Sequence, residues 1–257
     1  MNEIEKTGQA EFDFAAPNPA QKEPSALPPF LRQEGFYFVA LGGAEKVGMN
    51  MYAYISDGRI IVVDAGYDFL NDDFPGMELG LADPAWLESY RDCIDAMFIT
   101  HSHEDHFGAI AHIWPRLRCP VYATDFTIGH ILPRLREYKL ENEVELISVN
   151  QNPVVKLPDF EVEYVPVVHS LPENSALRIK TKYGTVFHAT DWRFDDCHID
   201  FMKTSYDRLK QVGEQGVDLY VGDSIHMAHP VEQPSEMVIR KSLIELLPLM
   251  LPGWKAC

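Results

Sequence analysis

The chain has 257 residues, enough for one large domain and part of another, and its 46% hydrophobic and 24% charged content excludes a wholly disordered or fibrous protein. No stretch approaches 18 uncharged apolar residues and the start, MNEIEK, is acidic, so neither a transmembrane span nor a secretory signal is expected and the cytoplasm is the default location. Acidic residues outnumber basic ones 39 to 22, a net charge of -17, which argues against a broad electropositive nucleic-acid surface but leaves open a cleft whose carboxylates are offset by bound cations. Cys93, Cys119, Cys197 and Cys257 lie far apart and form no CxxC pair, so no disulfide framework or zinc ribbon is expected.

Residues 1–30 carry Pro17, Pro19, Pro24, Pro28 and Pro29 among small and polar residues, and they read as a flexible extension with no periodic apolar face. FYFVAL (36–41), MNMYAYIS (49–56) and RIIVVDAG (59–66) then read as three successive strands, the last two joined at Asp57-Gly58. PAWLESYRDC (84–93) predicts a short helix, IDAMFIT (94–100) a buried strand, and FGAIAHIWPRL (107–117) a helix interrupted or ended by Pro115. PVYAT (120–124) is strand-like and FTIGHILPRLREY (126–138) helical with an internal proline. Further strands are expected at EVELISVN (143–150), FEVEYVPVV (160–168), ALRIKT (176–181), TVFHAT (185–190) and DLYVGD (218–223). A last helix begins at Ser235, whose side chain suits an N-cap. Hairpin strands followed by alternating strands and helices predict an α/β architecture with a mixed sheet in more than one layer.

The richest chemistry lies in His101-Ser102-His103-Glu104-Asp105-His106, between an apolar strand and a helical segment. Three imidazoles with carboxylates between them, all within six residues, suit borderline divalent metals such as zinc or manganese. Residues two apart in a turn can converge on one ion while the following pair faces a second. His169 and Asp191 also follow predicted strands immediately, and strand ends are where sites gather in α/β sheets. A carboxylate at Asp191 can bridge two cations. Asp64 ends the strand IIVVD and can orient the histidine loop from outside the coordination sphere, or simply start a turn.

The HxHxDH block, Asp64, His169 and Asp191 together resemble the metallo-beta-lactamase fold of dinuclear hydrolases, an αββα sandwich. The chain is most similar to the ribonuclease J family, whose fold carries an inserted beta-CASP domain. The resemblance runs through LGGAEKVGMNMYAY (41–54), IIVVDAGYDF (60–69), FITHSHEDHFGAIAHI (98–113), VVHSLPENSALRIKTKYGTVFHATDWRFDD (167–196) and GDSIHMAHPVEQPSE (222–236). It implies that His101, His103 and His169 bind one metal ion, and that Asp105, His106 and Asp191 bind the second, with Asp191 bridging. It further implies hydrolysis of RNA phosphodiester bonds, exonucleolytic from the 5' end, endonucleolytic or both, with Asp105 managing the proton of the attacking water. Single-stranded RNA is the implied partner, and a homodimer or homotetramer the implied assembly of full-length members.

Members of that family are considerably longer and supply a further ligand histidine after the inserted domain. The expectation is therefore a hydrolase domain incomplete at its C-terminus: residues 31–223 as its N-terminal part and 224–257 as the truncated start of the beta-CASP domain. Glu45-Lys46, Ser102 and Ile225-His226 depart from the family pattern, and His226 or His229 could replace the absent ligand only outside the expected strand-end context. Trp192, Arg193 and Phe194 are placed either to touch substrate or to pack. Two other functions stay open, an inactive fragment that keeps partial metal binding and a small-molecule hydrolase of the same fold.

Overall fold

A strand that is apolar on both faces must be covered on both, and Arg59–Val63 (β3) is such a strand. Ile60 and Val62 enter one apolar cluster while Ile61 and Val63 enter another. A computed structural model describes residues 34–44, 46–70, 74–151, 153–195, 204–225, 227–228 and 234–250. The expected extension at 1–30, Cys197, Cys257, His226 and His229 lie outside the described residues.

The first sheet has the order β1 (Phe36–Gly42), β2 (Met51–Ser56), β3, β6 (Ile94–Phe98), β7 (Val121–Ala123) and β8 (Leu146–Ser148). Its first three strands are antiparallel neighbours and the rest are parallel, so the three early strands form one side of the sheet. The second sheet has the order β13 (Leu219–Gly222), β12 (Gly184–Thr190), β11 (Ser175–Thr181), β10 (Glu161–Pro166) and β9 (Val154–Lys156), antiparallel except for β12 with β13. A separate hairpin pairs β4 (Tyr67–Phe69) with β5 (Leu79–Leu81).

Alternation along the strands fixes the layers. Ala53 and Ile55 of β2 join Ile60 and Val62 against Leu87 of α1 (Ala85–Glu88), Ile113 and Trp114 of α3 (Ile110–Leu117), and Ile131 and Leu135 of α4 (Asp125–Glu137). Between the sheets, Tyr54, Ile61, Val63 and Phe98 meet Val162, Tyr164, Leu177 and Ile179. On the far face, Val165, Ala176, Phe187 and Ala189 pack on Val212 and Leu209 of α5 (Tyr206–Gln215). The result is helix, sheet, sheet, helix, the expected αββα sandwich. Beyond these layers, α6 (Glu236–Met250) starts after Ser235, whose hydroxyl accepts from Met237 N at 3.2 Å as the capping pattern predicts.

Several boundaries differ from the sequence pattern for identifiable reasons. RIIVVDAG stops being a strand at Val63 because Asp64 takes a left-handed φ of 62°. Pro115 neither interrupts nor ends its helix, which continues to Leu117 and closes at Arg118 with φ 52° while Trp114 and Leu117 are buried. The break falls earlier, between α2 (Glu104–Phe107) and α3. There the Asp105 carbonyl accepts from Asn50 N at 3.0 Å, and Ala109 N donates to Ala65 O at 2.9 Å. Tertiary bonds have taken the groups a continuous helix would pair. The short strands β4, β5 and β9 and the polar helix α5 escaped the pattern altogether, having few apolar repeats to announce them.

Candidate metal centre

Loops that follow β3, β6, β10 and β12 meet at one edge of the sandwich, and they carry Asp64, the HSHEDH block, His169 and Asp191 respectively. The turn after β3 is the tightest element. A Cβ on Gly66 would stand 1.6 Å from the Asp105 carbonyl oxygen, so only glycine lets the turn lie against α2. Ala65 N donates to His106 O at 2.7 Å, which fixes the start of α2 against that turn.

His101, His103, His169 and Asp191 form one group whose donor atoms all lie within 4.8 Å of one another, and Asp105, His106 and Asp191 form a second. His103 Nδ1 is 2.9 Å from His101 Nε2 and 3.1 Å from His169 Nε2. Asp191 Oδ2 lies 3.6 Å from His106 Nε2 and 3.7 Å from His169 Nε2, between the two groups. The structure thus brings all six sequence-selected residues together. Three imidazoles plus a shared carboxylate, beside a second carboxylate and imidazole, suit a pair of borderline divalent cations.

Buried tethers surround the second group. Asp64, fully buried, accepts from Thr100 N at 2.9 Å and Thr100 Oγ1 at 3.0 Å, and its Oδ2 is 2.8 Å from His106 Nδ1. The Asp64 carboxylate thus meets three polar atoms, two on Thr100 and one on His106. Asn174 Nδ2 donates to the Asp191 carbonyl at 2.8 Å, and Arg193 N to Val168 O at 2.9 Å, which ties the Asp191 loop to the His169 loop.

Burial and the clustering of imidazoles hold His101 well below the ordinary histidine pKa, and burial brings His169 down to about 4. Both favour neutral rings with a free lone pair. Burial alone would lower His106 too, but the Asp64 and Asp191 carboxylates raise it to about 10. Burial opposes ionisation of Asp191, yet the His106 contact and the surrounding histidines win and lower its pKa.

A cleft of about 400 Å³ opens beside Asp105, His106 and Asp191, with Phe38, Tyr52 and Ile225 in its walls. Lys46, also on the cleft, is paired with Asp68 at 2.7 Å. Trp192 packs toward the far-face core and donates from Nε1 to Tyr220 Oη at 3.1 Å, whereas Phe194 is 65% exposed and stacks on Tyr206. Arg193 pairs with Asp195 at 2.8 Å and Glu236 at 2.9 Å, linking the Asp191 loop to α6. Sequence reasoning did not single out Asn50, Tyr52 or Thr100. Asn50 and Tyr52 fall within a segment quoted for its resemblance, and Thr100 adjoins the histidine block, but residue type alone assigned them no role.

Comparison with known proteins bears on the family and the fold. Residues 59–212 match the beta-lactamase superfamily domain. Ribonuclease J of Sinorhizobium meliloti is 37% identical over 220 residues, covering 84% of this chain and 39% of that protein, and ribonuclease J of Mycolicibacterium smegmatis is 36% identical over 223 residues, 86% and 40% respectively. The chain thus spans about two fifths of the length of these curated relatives. A crystal structure of a protein of unknown function from Enterococcus faecalis superposes with a TM-score of 0.54 at 19% identity, covering 84% of this chain and 57% of that one. With the match extending over more than half of its residues and the αββα sandwich in place, the chain belongs to the beta-lactamase superfamily.

Proposed function

We propose that this chain carries the metal-binding part of a ribonuclease that hydrolyses RNA phosphodiester bonds. The observation that carries the reading is the pair of donor groups sharing Asp191, set in a chain similar to ribonucleases J over most of its length. His101, His103 and His169 would hold one divalent cation, Asp105 and His106 the other, and Asp191 both. Zinc and manganese both suit the donor set. When bound, two such cations supply Lewis-acid stabilisation of a phosphoryl oxygen and a water of lowered pKa.

The protein groups divide the remaining work. Asp64 fixes the ring of His106 through Nδ1, leaving Nε2 toward the cleft. In this reading Asp105 takes the proton of the attacking water, a role supported by its half-buried carboxylate lining the cleft. His101 and His169, kept neutral, offer lone pairs rather than protons. Exonucleolytic, endonucleolytic or mixed cleavage of single-stranded RNA all fit this chemistry. The same reading assigns 31–223 to the N-terminal part of the hydrolase domain and 224–257 to the opening of an inserted domain, in a cytoplasmic and oligomeric full-length enzyme. Among the described residues no helix is long and apolar enough to cross a membrane.

The test is to incubate the purified chain with Mn²⁺ or Zn²⁺ and 5'-monophosphorylated single-stranded RNA, using the D105A/H106A double variant as the contamination control. Cleavage by the parent and none by the control is expected. Metal binding without cleavage would instead assign this chain ion capture alone, and equal cleavage by the control would remove the proposed site from the reaction.

A further inference from the structure

The Asp105 side chain is 32% exposed, and its Oδ2 lies 3.2 Å from the Asn50 amide nitrogen and 3.6 Å from the His106 ring. Asn50 lies between the turn after β3 and helix α2. Its backbone N donates to the Asp105 carbonyl at 3.0 Å and its carbonyl accepts from Gly66 N at 3.0 Å. Its side-chain Nδ2 donates to Asp105 O at 3.1 Å and Asp105 Oδ2 at 3.2 Å, and stands 3.1 Å from His106 Nε2. Tyr52 Oη donates to Asn50 Oδ1 at 2.9 Å.

These partners determine which way the amide points. The Asp105 oxygens only accept, so the –NH₂ must face them, and the Tyr52 hydroxyl then serves the amide oxygen. Both ends of the amide are thus engaged and the Asn50 backbone is bonded on both sides. It holds the Asp105 carboxylate beside the His106 ring, whose own orientation comes from Asp64 on the other side. A neutral donor does this without adding a charge that would compete with a cation.

We infer that Asn50, held by Tyr52, is a positioning residue that preorganises Asp105 and His106 as the second of the two cation half-sites. The effect is confined to that half, since no described contact joins Asn50 to His101, His103 or His169. The inference rests on the proposed two-cation reading and extends it to the origin of the second ion's affinity.

The experiment is a calorimetric and spin-resonance titration of the metal-free chain with Mn²⁺, the two binding events being assigned with H103A and H106A. N50A is expected to raise the second dissociation constant about 10 to 100-fold, as loss of an orienting partner commonly does, while leaving the first and the melting temperature of the metal-free protein close to the parent's. Y52F, which removes only the hydroxyl that aims the amide, is expected to weaken the same event to a smaller degree. Equal weakening of both events, or an unchanged second event, would overturn the inference. Should N50A fail to fold, Y52F decides alone, with selective weakening supporting the inference and an unchanged second event overturning it. A parent that binds no second ion overturns the two-cation reading itself.

Discussion

The two halves of the centre are built differently. Asp105 and His106 sit on one short helix pinned by Asp64, Asn50 and the Gly66 turn, all through contacts between atoms that the backbone already brings close. His101, His103 and His169 are held mainly against one another, with Thr100 Oγ1 at 3.0 Å from His101 Nδ1 and Ser170 Oγ at 3.3 Å from His103 Nε2 as their outer contacts. The second half is tied by hydrogen bonds that need no ion, and the first offers more imidazoles. On the proposed two-cation reading, preorganisation and ligand count would be two routes to affinity, one in each half.

The sharpest way to break this contrast is to remove Asp64. D64A leaves the Thr100 N–H and the His106 ring without their buried acceptor, while the Thr100 hydroxyl keeps His101 Nδ1 and Thr190 Oγ1 at 3.0 Å, and each orphaned donor costs about 1 to 3 kcal/mol. A loss of about 3 kcal/mol corresponds to a melting point lowered by about 6 to 12 °C in a domain of this size. Differential scanning calorimetry of the metal-free protein measures it, and a change within 2 °C of the parent, on the order of 1 kcal/mol or less, would show that the Asp64 contacts are not under load.

Next in size are the ligands themselves. H103A and H169A are expected to weaken the first cation by at least about 100-fold, more than loss of an outer partner, and H106A to do the same to the second. Metal-to-protein ratios after gel filtration read this directly, and an unchanged ratio in H103A or H169A would remove those residues from the assignment. D191N should act on both events, and harder on the second. The second half keeps only Asp105 and His106 when the bridging carboxylate becomes an amide, whereas the first keeps three imidazoles. Equal loss from both would argue against a shared carboxylate.

What could be read in the sequence follows the same division. The HSHEDH block is legible because its candidate ligands are neighbours in the chain, and His169 and Asp191 because they lie three residues and one residue beyond the ends of β10 and β12, both readable as apolar strands. Ile60 to Val63 and Phe98 announce a doubly covered sheet by their unbroken apolar character. Asn50 was hidden because its role depends on Asp105, 55 residues away, and nothing local distinguishes it from any turn asparagine. The helix break after Phe107 was hidden for a related reason: it is caused by Asn50 and Ala65 taking backbone groups from α2. Strand β9, three residues long, and helix α5, with Val212 as its buried residue, carry too little apolar pattern to be seen.

The smallest expected effect concerns Glu104, the carboxylate of the block outside the two donor groups. Its carboxylate accepts from Arg134 Nη2 at 2.9 and 3.0 Å, joining α2 to α4, while the Glu104 side chain is 43% exposed and that of Arg134 25%. An ion pair this open to solvent contributes about 0.2 to 1 kcal/mol, screened further by salt. R134A and E104Q should each lower stability by no more than that, with a double-mutant cycle giving a coupling that shrinks at high ionic strength. Neither should alter the ratio of the two cation affinities, because the backbone of α2 is already fixed by Ala65 and Asn50 at the opposite side. If R134A weakened the second cation as strongly as N50A, the helix would be held in place by its exposed pair, and the buried tethers would lose their claim to the rigidity of that half.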